Sequence, residues 1–428
     1  MADETEQQLR EKIASQKCSL ANLPTLSSIV DETGFSSSET KARAQLIKEL
    51  SDTEEQLELL LESKRVAAVV RLQDELHPPL NSEDCPICLE TIKHINSTTV
   101  NLFFCCGGLI CKQCSDESKT KCRKEGFDEM FRDKCPLCRE KMPRADDYKE
   151  VVNRILKHAN KGRAWAQAQI GTYYLKEKVG RKFGFALNEE KGLQLMKEAA
   201  DQRFPDALFQ MALACTGGQT LERDESKYMY YLKEAADLGH PCAQHMLGLA
   251  YDNCRKGKKH LHYITLAASQ GEAEACGVLG VCFMRAACGL TKSLILAKHY
   301  SEKSLEDVQE NGIFELSSAF VLSLSLVYLG LERYEGIIEI PGYSPIPKSL
   351  FWARKALEDD SLPIRDNAIQ LISELENDAK NHCANCRKQA ENSSFKRCVR
   401  CLGAWYCGKE CQVQHWKNGH KFDCIKSK

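Results

Sequence analysis

The sequence predicts a mainly α-helical chain: a solenoid of helical hairpins flanked by two small modules held by clustered cysteines, with a helical segment in front. Three observations predict it. The 23 cysteines of this 428-residue chain are unevenly spread, with dense clusters from Cys85 to Cys138 and from Cys383 to Cys424. A pattern of small and large apolar residues recurs between Ala166 and Phe283. Residues 39–76 contain neither Gly nor Pro.

Length alone suggests about two to four domains. Formal net charge is -1, which excludes wholesale attraction to nucleic acid or to an anionic membrane. No apolar stretch of about 18 residues occurs, and the opening MADETEQQLREK is polar and acidic, unlike a secretory leader. These features predict a chain kept in the cytoplasm or nucleus, with no membrane partner. In such a compartment thiols stay reduced, so paired CxxC spacings point to thiolate metal ligands rather than disulfides, with zinc as the expected ion.

Residues 1–80 read as helical. Leu46, Leu50, Thr53, Leu57 and Leu60 alternate spacings of four and three, a heptad-like seam. Arg43 and Lys64 limit it to about two heptads. Ser51 with Glu54 forms a capping-box pattern that would split the helix in two. The segment serves either as a hairpin packed on its own chain or as a short dimerising coiled coil. Pro78-Pro79 ends it, because proline disfavours helix before it and donates no hydrogen bond.

Residues 81–145 carry the first module. Cys85 and Cys88 open it, Cys105, Cys106, Cys111 and Cys114 follow, and Cys135 and Cys138 close it. Eight thiolates suffice for two tetrahedral zincs. Paired in this order, the ligands resemble a RING finger. The resemblance implies a cross-brace, with Cys85, Cys88, Cys111 and Cys114 on one zinc and Cys105, Cys106, Cys135 and Cys138 on the other. One departure stands out: Gly108 occupies the place where the commonest pattern has histidine. Cys106 fits an all-cysteine variant, and Cys122 or His94 are alternatives to one of the adjacent pair. RING fingers bind a ubiquitin-conjugating enzyme and promote ubiquitin transfer without a nucleophile of their own. The resemblance assigns Ile87 and Pro136 to the apolar groove for that enzyme. It assigns Arg139 to the cation that bridges enzyme and ubiquitin, a role of positioning for which a planar guanidinium is suited. A solvated surface arginine is the alternative.

Residues 163–360 hold the repeats. Ala166, Ile170, Gly171 and Tyr174 recur as Ala207, Met211, Ala212 and Cys215, then Ala243, Leu247, Gly248 and Tyr251, then Ala275, Leu279, Gly280 and Phe283. One helix face thus alternates small and large residues. A second helix ends each unit at Ala199-Ala200, Ala235-Ala236 and Ala267-Ala268, a period of solenoid length. The pattern resembles the Sel-one-like repeats, relatives of the tetratricopeptide repeats, which implies stacked hairpins used for protein assembly. A degenerate fifth unit is expected from Phe314 to Leu357, interrupted around Pro341, Pro345 and Pro347. Cys215, Cys242, Cys254, Cys276, Cys282 and Cys288 lack paired spacing and read as small buried hydrophobes.

Residues 383–424 form the second module. Cys383, Cys386, Cys398, Cys401, Cys407, Cys411, His420 and Cys424 again supply eight donors. The spacing resembles a MYND finger. The family's interleaving implies Cys383, Cys386, Cys407 and Cys411 on one zinc, and Cys398, Cys401, His420 and Cys424 on another. On a helix His420 and Cys424 would face the same way, one turn apart. His415 reads as a nonligand surface residue. Gln412 and Trp416 fall where such fingers receive short proline-containing peptides. From Cys383 onward ten Lys/Arg face three Asp/Glu, but few aromatics separate them, which favours solvated surface over nucleic acid. Fifteen thiolates and four zincs would take the loaded chain from -1 to about -8.

Together these features predict a ubiquitin-protein ligase of the RING type whose repeats and MYND finger select protein substrates. A noncatalytic zinc scaffold is the alternative. The chain lacks the Gly-rich nucleotide loop or Asn-His-Ser segment of a lysine methyltransferase.

Overall fold

A computed structural model describes residues 5–23, 38–78, 82–93, 95–96, 99–117, 134–144, 146–217, 223–253, 257–306, 346–357, 362–386, 388–389, 395–421 and 424. In chain order come α1 (Glu6–Ala21), α2 (Ser38–Leu76), β1 (Glu83–Asp84), β2 (Thr91–Ile92), β3 (Val100–Leu102), β4 (Leu109–Cys111) and α3 (Tyr148–Ala159). The repeats follow as α4 (Ala164–Leu175), α5 (Glu177–Lys182), α6 (Glu189–Asp201), α7 (Pro205–Ala214), α8 (Glu225–Asp237), α9 (Pro241–Asn253), α10 (Gly257–Ser269), α11 (Ala273–Arg285) and α12 (Leu294–Glu306). Last come α13 (Ile346–Ala356), α14 (Leu362–Asn381), β5 (Lys396–Arg397), β6 (Trp405–Tyr406), α15 (Lys409–His415) and a π turn over Trp416–His420. Among the described residues the sheets are three two-stranded ones, β1-β2, β3-β4 and β5-β6, all in the cysteine-rich modules. The chain is mainly helical, as the sequence predicts, and no helix among the described residues is long and apolar enough to cross a membrane.

Two compact units emerge, one of Met1–Ala67 with Ala273–Lys428, the other of Ala68–Glu272. In the first, Thr5 and Gln8 cap α1 reciprocally. α1 then runs antiparallel to α2, with Glu6 paired to Lys64 at 2.7 Å and Lys17 to Glu54 at 3.0 Å. The guanidinium of Arg43, 4% exposed, donates to the Leu20 carbonyl at 3.2 Å. A cation near the end of α1 complements the carbonyls left without helical partners there. The break expected at Ser51 does not occur, and α2 is continuous for 39 residues. Instead of closing the capping box, Glu54 pairs with Lys17, and Thr53 bonds back to the Glu49 carbonyl at 2.7 Å. On the far side, Glu62 accepts from Tyr300 Oη at 2.6 Å and from Arg65 at 2.7 Å.

In the second unit the small residues of each hairpin are where the helices meet. Ala166, Ala207 and Ala243 are fully buried. A Cβ on Gly248 would lie 2.8 Å from Ile264 Cδ1, and one on Gly171 would lie 3.1 Å from the Gly192 carbonyl. Side chains larger than hydrogen would push α4 from α6 and α9 from α10. Glycine recurs for closeness of approach.

Two helices have no place in the repeat pattern. α3, capped by Asp147, buries Val152 and Ile155 and packs with Ile170 and Tyr173 at the start of the stack. α14 packs on α13 through Leu371 and Leu375 against Ile346 and Leu350, with Arg354 bonded to Glu376 at 2.8 Å. Of the expected fifth hairpin, residues 314–345 lie outside the described residues, as do Cys122, His94 and Cys254; residues 346–356 are helical.

Candidate metal centres

The first module folds as turns around sulfur. Cys85, Cys88, Cys111 and Cys114 place their sulfurs within 4.8 Å of one another, and so do Cys105, Cys106, Cys135 and Cys138. Neighbouring sulfurs stand 3.8 Å apart for Cys88 and Cys111, 3.9 Å for Cys106 and Cys135, and 3.4 Å for Cys138 and Cys105. Four thiolates at about 2.3 Å from one ion lie about 3.8 Å apart at the corners of a tetrahedron. The donor set and its spacing fit zinc.

Each knuckle is one repeated turn. The N–H of Leu89 donates to the Cys85 carbonyl and that of Cys85 to the Glu90 carbonyl, both at 2.9 Å. Arg139, Cys135 and Glu140 repeat the pattern. The residue after the second cysteine must then turn left-handed, and Leu89, Arg139 and Leu402 have φ of 62°, 63° and 53°. The β3-β4 hairpin uses the same two bonds, but they close on Phe103, with Gly107 at φ 71°. Phe103 therefore stands where a knuckle's first cysteine would stand, Cys106 is the second, and Cys105 supplies the missing sulfur from the turn itself. Gly108 donates its N–H to Cys106 Sγ at 3.4 Å, and a Cβ there would lie 2.6 Å from Leu137 Cδ1. A side chain at Gly108 would have to displace the end of the Leu137 side chain and press on Cys106 Sγ. This is the physical content of the departure seen in the sequence.

The residues assigned to the conjugating enzyme are all on the surface. Ile87 is 46% exposed, and Pro136 and Arg139 are exposed on the last knuckle. Leu89, which sequence reasoning missed, is 77% exposed beside Ile87. Its signal was an apolar residue directly after a ligand, at a place where the turn forces it outward.

The second module repeats the scheme, with one of its two sets buried throughout. Cys383, Cys386, Cys407 and Cys411 form one set, and Cys398, Cys401, His420 and Cys424 another whose members are all buried. Cys386 and Cys407 sulfurs are 3.6 Å apart, Cys398 and Cys424 3.7 Å, and Cys401 Sγ is 3.7 Å from His420 Nε2. Burial, with Arg400 nearby, lowers the His420 pKa to about 4, so the ring is neutral and one of its nitrogens keeps the lone pair a metal needs. Residues 383–424 match the MYND finger family.

His415 is not the surface residue the sequence suggests. It is 2% exposed, its Nδ1 lies 3.1 Å from Tyr406 Oη, and its ring stacks on that of His420 at 4.7 Å. α-Helical spacing would place residues five apart on different faces. The π turn over Trp416–His420 closes i to i+5 and brings them together. Nor is Cys424 on the helix: it has no helical backbone, yet it joins the cluster. Gln412 is exposed and Trp416 is 40% exposed, with Val413 beside them at 44%.

Thiol acidity shows why these sets need a cation. Burial pushes Cys85 up, but the backbone N–H groups of Cys111, Cys88 and Ile87 outweigh it and hold the thiol at about 6. The hydrogen bond with Cys386 lowers Cys383 to about 4 despite burial. Their neighbours go the other way. Burial raises Cys114 and, with adjoining sulfurs, Cys105; burial and neighbouring sulfurs also lift Cys407 to about 11 and Cys424 to about 12. One thiolate per set is solvated by N–H groups, and further ones repel it. A divalent ion among the sulfurs removes that repulsion.

Other likenesses are partial. A stretch of 57 residues is 32% identical to ubiquitin carboxyl-terminal hydrolase 15 of Arabidopsis thaliana, and it covers 13% of this chain and 6% of that protein. Two solved structures align with about half of the chain. The first, a protective antigen of uropathogenic Escherichia coli displaying an SLR fold, is 20% identical over 53% of this chain and 45% of that one, at a TM-score of 0.41. The second, a Sel1 repeat protein from Oxalobacter formigenes, is 18% identical over 54% and 87%, at a TM-score of 0.40.

Proposed function

We propose that this chain is a zinc-dependent protein-interaction scaffold whose first finger, residues 81–145, recruits a ubiquitin-conjugating enzyme and so acts as a ubiquitin-protein ligase. The reading takes residues 163–360 and the MYND finger as the parts that engage protein substrates. The observation that carries it is the surface of the first finger: Ile87 and Leu89 expose apolar side chains on one knuckle turn, and Pro136 and Arg139 are exposed on the other. Apolar groups held outward by ligand turns make a docking face that the finger's own core does not need. Arg139, on a fixed left-handed turn, offers a planar set of donors to two partners at once. At the other end Gln412, Val413 and Trp416 present an exposed face suited to a short proline-containing peptide.

The test is autoubiquitination of the zinc-loaded chain with a panel of conjugating enzymes. The ligase reading expects activity that falls severalfold in Arg139→Ala and in Ile87→Ala. A second reading, a noncatalytic scaffold, draws on Gly108 and the adjacent Cys105 and Cys106. It expects no activity from the wild type with any conjugating enzyme.

A further inference from the structure

Within the Ala68–Glu272 unit, the first finger and the first two repeats enclose a cleft of about 290 Å³. Leu102 and Leu109 of the β3-β4 hairpin form one wall, and Trp165 and Phe204 form the opposite one. The hairpin is anchored there: Phe104 stacks on Trp165 at 5.9 Å, and Asn96 Nδ2 donates to the Gly239 carbonyl at 3.2 Å.

The cationic groups on this cleft are Lys93, Arg163 and Arg203. Lys93 is held by Asp74. No ion-pair partner holds Arg163 among the described residues, and it is exposed. Arg203 reaches Glu234 at 3.0 Å in a surface pair, a contact cheaply exchanged for another carboxylate. Two carboxylates also line the cleft. Asp237 is taken up by Tyr263 Oη at 2.9 Å and His77 at 3.5 Å, while Glu83 is exposed. α4 and α7 also begin here without a side-chain cap, whereas Asn188 and Asp224 cap α6 and α8.

Arg203 is placed there against local preference. Four residues before the small residue that opens each repeat, the turn is left-handed: Gly162, Gly239 and Gly271 have φ of 76°, 88° and 82°. Only the second of these four turns lacks glycine, where Arg203 adopts φ 57°. An L-residue is disfavoured there, because its Cβ crowds the following carbonyl. A residue kept at such a cost, at the mouth of a cleft, points to a use.

We propose that this cleft binds an acidic peptide segment of a partner protein, with one aliphatic or aromatic side chain between Trp165 and the hairpin and flanking carboxylates on Arg163 and Arg203. The inference deepens the substrate-binding half of the proposed function and does not depend on ubiquitin transfer. Because Gly107, in the turn after Cys106, lies against His158 and Trp165, the metal set of Cys105, Cys106, Cys135 and Cys138 also shapes the cleft.

The experiment uses the zinc-loaded full chain and an array of labelled octapeptides in which Asp and Glu flank one Leu or Phe, with Lys-for-Glu counterparts as controls. The acidic set is expected to bind and the basic set not. Arg163→Glu should weaken binding at least tenfold, while Lys161→Glu, an equal charge change outside the cleft, should stay within twofold. Arg203→Gly should weaken binding severalfold while Tm holds or rises, a split that a merely structural arginine would not give. Equal binding of basic peptides, competition by inorganic phosphate alone at the concentration of the peptide, or identical losses from Lys161→Glu and Arg163→Glu would overturn the proposal. Autoubiquitination of Arg163→Glu, measured alongside, keeps failure of the cleft distinct from failure of the ligase reading.

Discussion

The two cysteine-rich modules use one turn geometry and differ in how deeply they hide it. In the MYND finger the set of Cys398, Cys401, His420 and Cys424 is buried throughout, and the finger rests on α13, where Gly403 approaches Pro347. In the first finger Cys106 and Cys138 are exposed, and Cys88 is exposed in its partner set. The difference teaches that metal sets alone hold the turns, while their surroundings decide what the turns are free to touch. The first finger leaves its knuckles open and apolar. The MYND finger spends one knuckle region on packing and leaves α15 free.

That contrast can be broken, and the largest effect should come from the ligands. Cys401→Ser is expected to release one zinc and unfold the part of the MYND finger around Cys398, His420 and Cys424, because apparent binding of about 10–16 kcal/mol per structural zinc is folding energy. Cys106→Ser should weaken one site while the exposed finger keeps its other set; metal content of each purified variant checks both. A smaller effect is kinetic. Under a chelator in excess, the sets with exposed sulfurs should lose zinc before the buried set, and equal rates from a chain and from its Cys401→Ser variant would refute this order.

Smaller still are the packing terms. Gly403→Ala places a Cβ 3.0 Å from the backbone Cα of Pro347, which cannot swing away, and should cost about 1–3 kcal/mol. Gly108→Ala meets the end of the Leu137 side chain, which can change rotamer, and Cys106 Sγ at 3.3 Å, and should cost about 1 kcal/mol. His415→Phe keeps the stacked ring but orphans Tyr406 Oη, a loss of about 1–3 kcal/mol read from denaturant unfolding. Lys17→Ala, an exposed pair with Glu54, should change stability by less than about 1 kcal/mol.

Much of this arrangement was legible in the residues because it depends on short-range spacing. The repeat pattern names the faces that pack, and Ala166, Ala207, Ala243 and Ala275 are all fully buried. Paired cysteines three apart name a knuckle. What was not legible depends on partners distant in sequence or on a change of helical period. Ser51 promised a break that does not occur, and Glu54, its expected capping partner, pairs instead with Lys17 of another helix. His415 looked exposed on an α-helical period, and the π turn rotates it inward. Phe103 in a knuckle's first position shows only in the backbone bonds, since no cysteine stands there to mark it. Arg203 in a left-handed turn could have been found by aligning the repeats on their small residues, which sets it against three glycines.

Native mass spectrometry of the purified full chain, calibrated by metal analysis, measures the central claim directly. The account predicts four zinc ions per chain, with one fewer in Cys401→Ser. A wild-type chain that holds two or fewer, and whose first finger keeps its fold without metal, would contradict it.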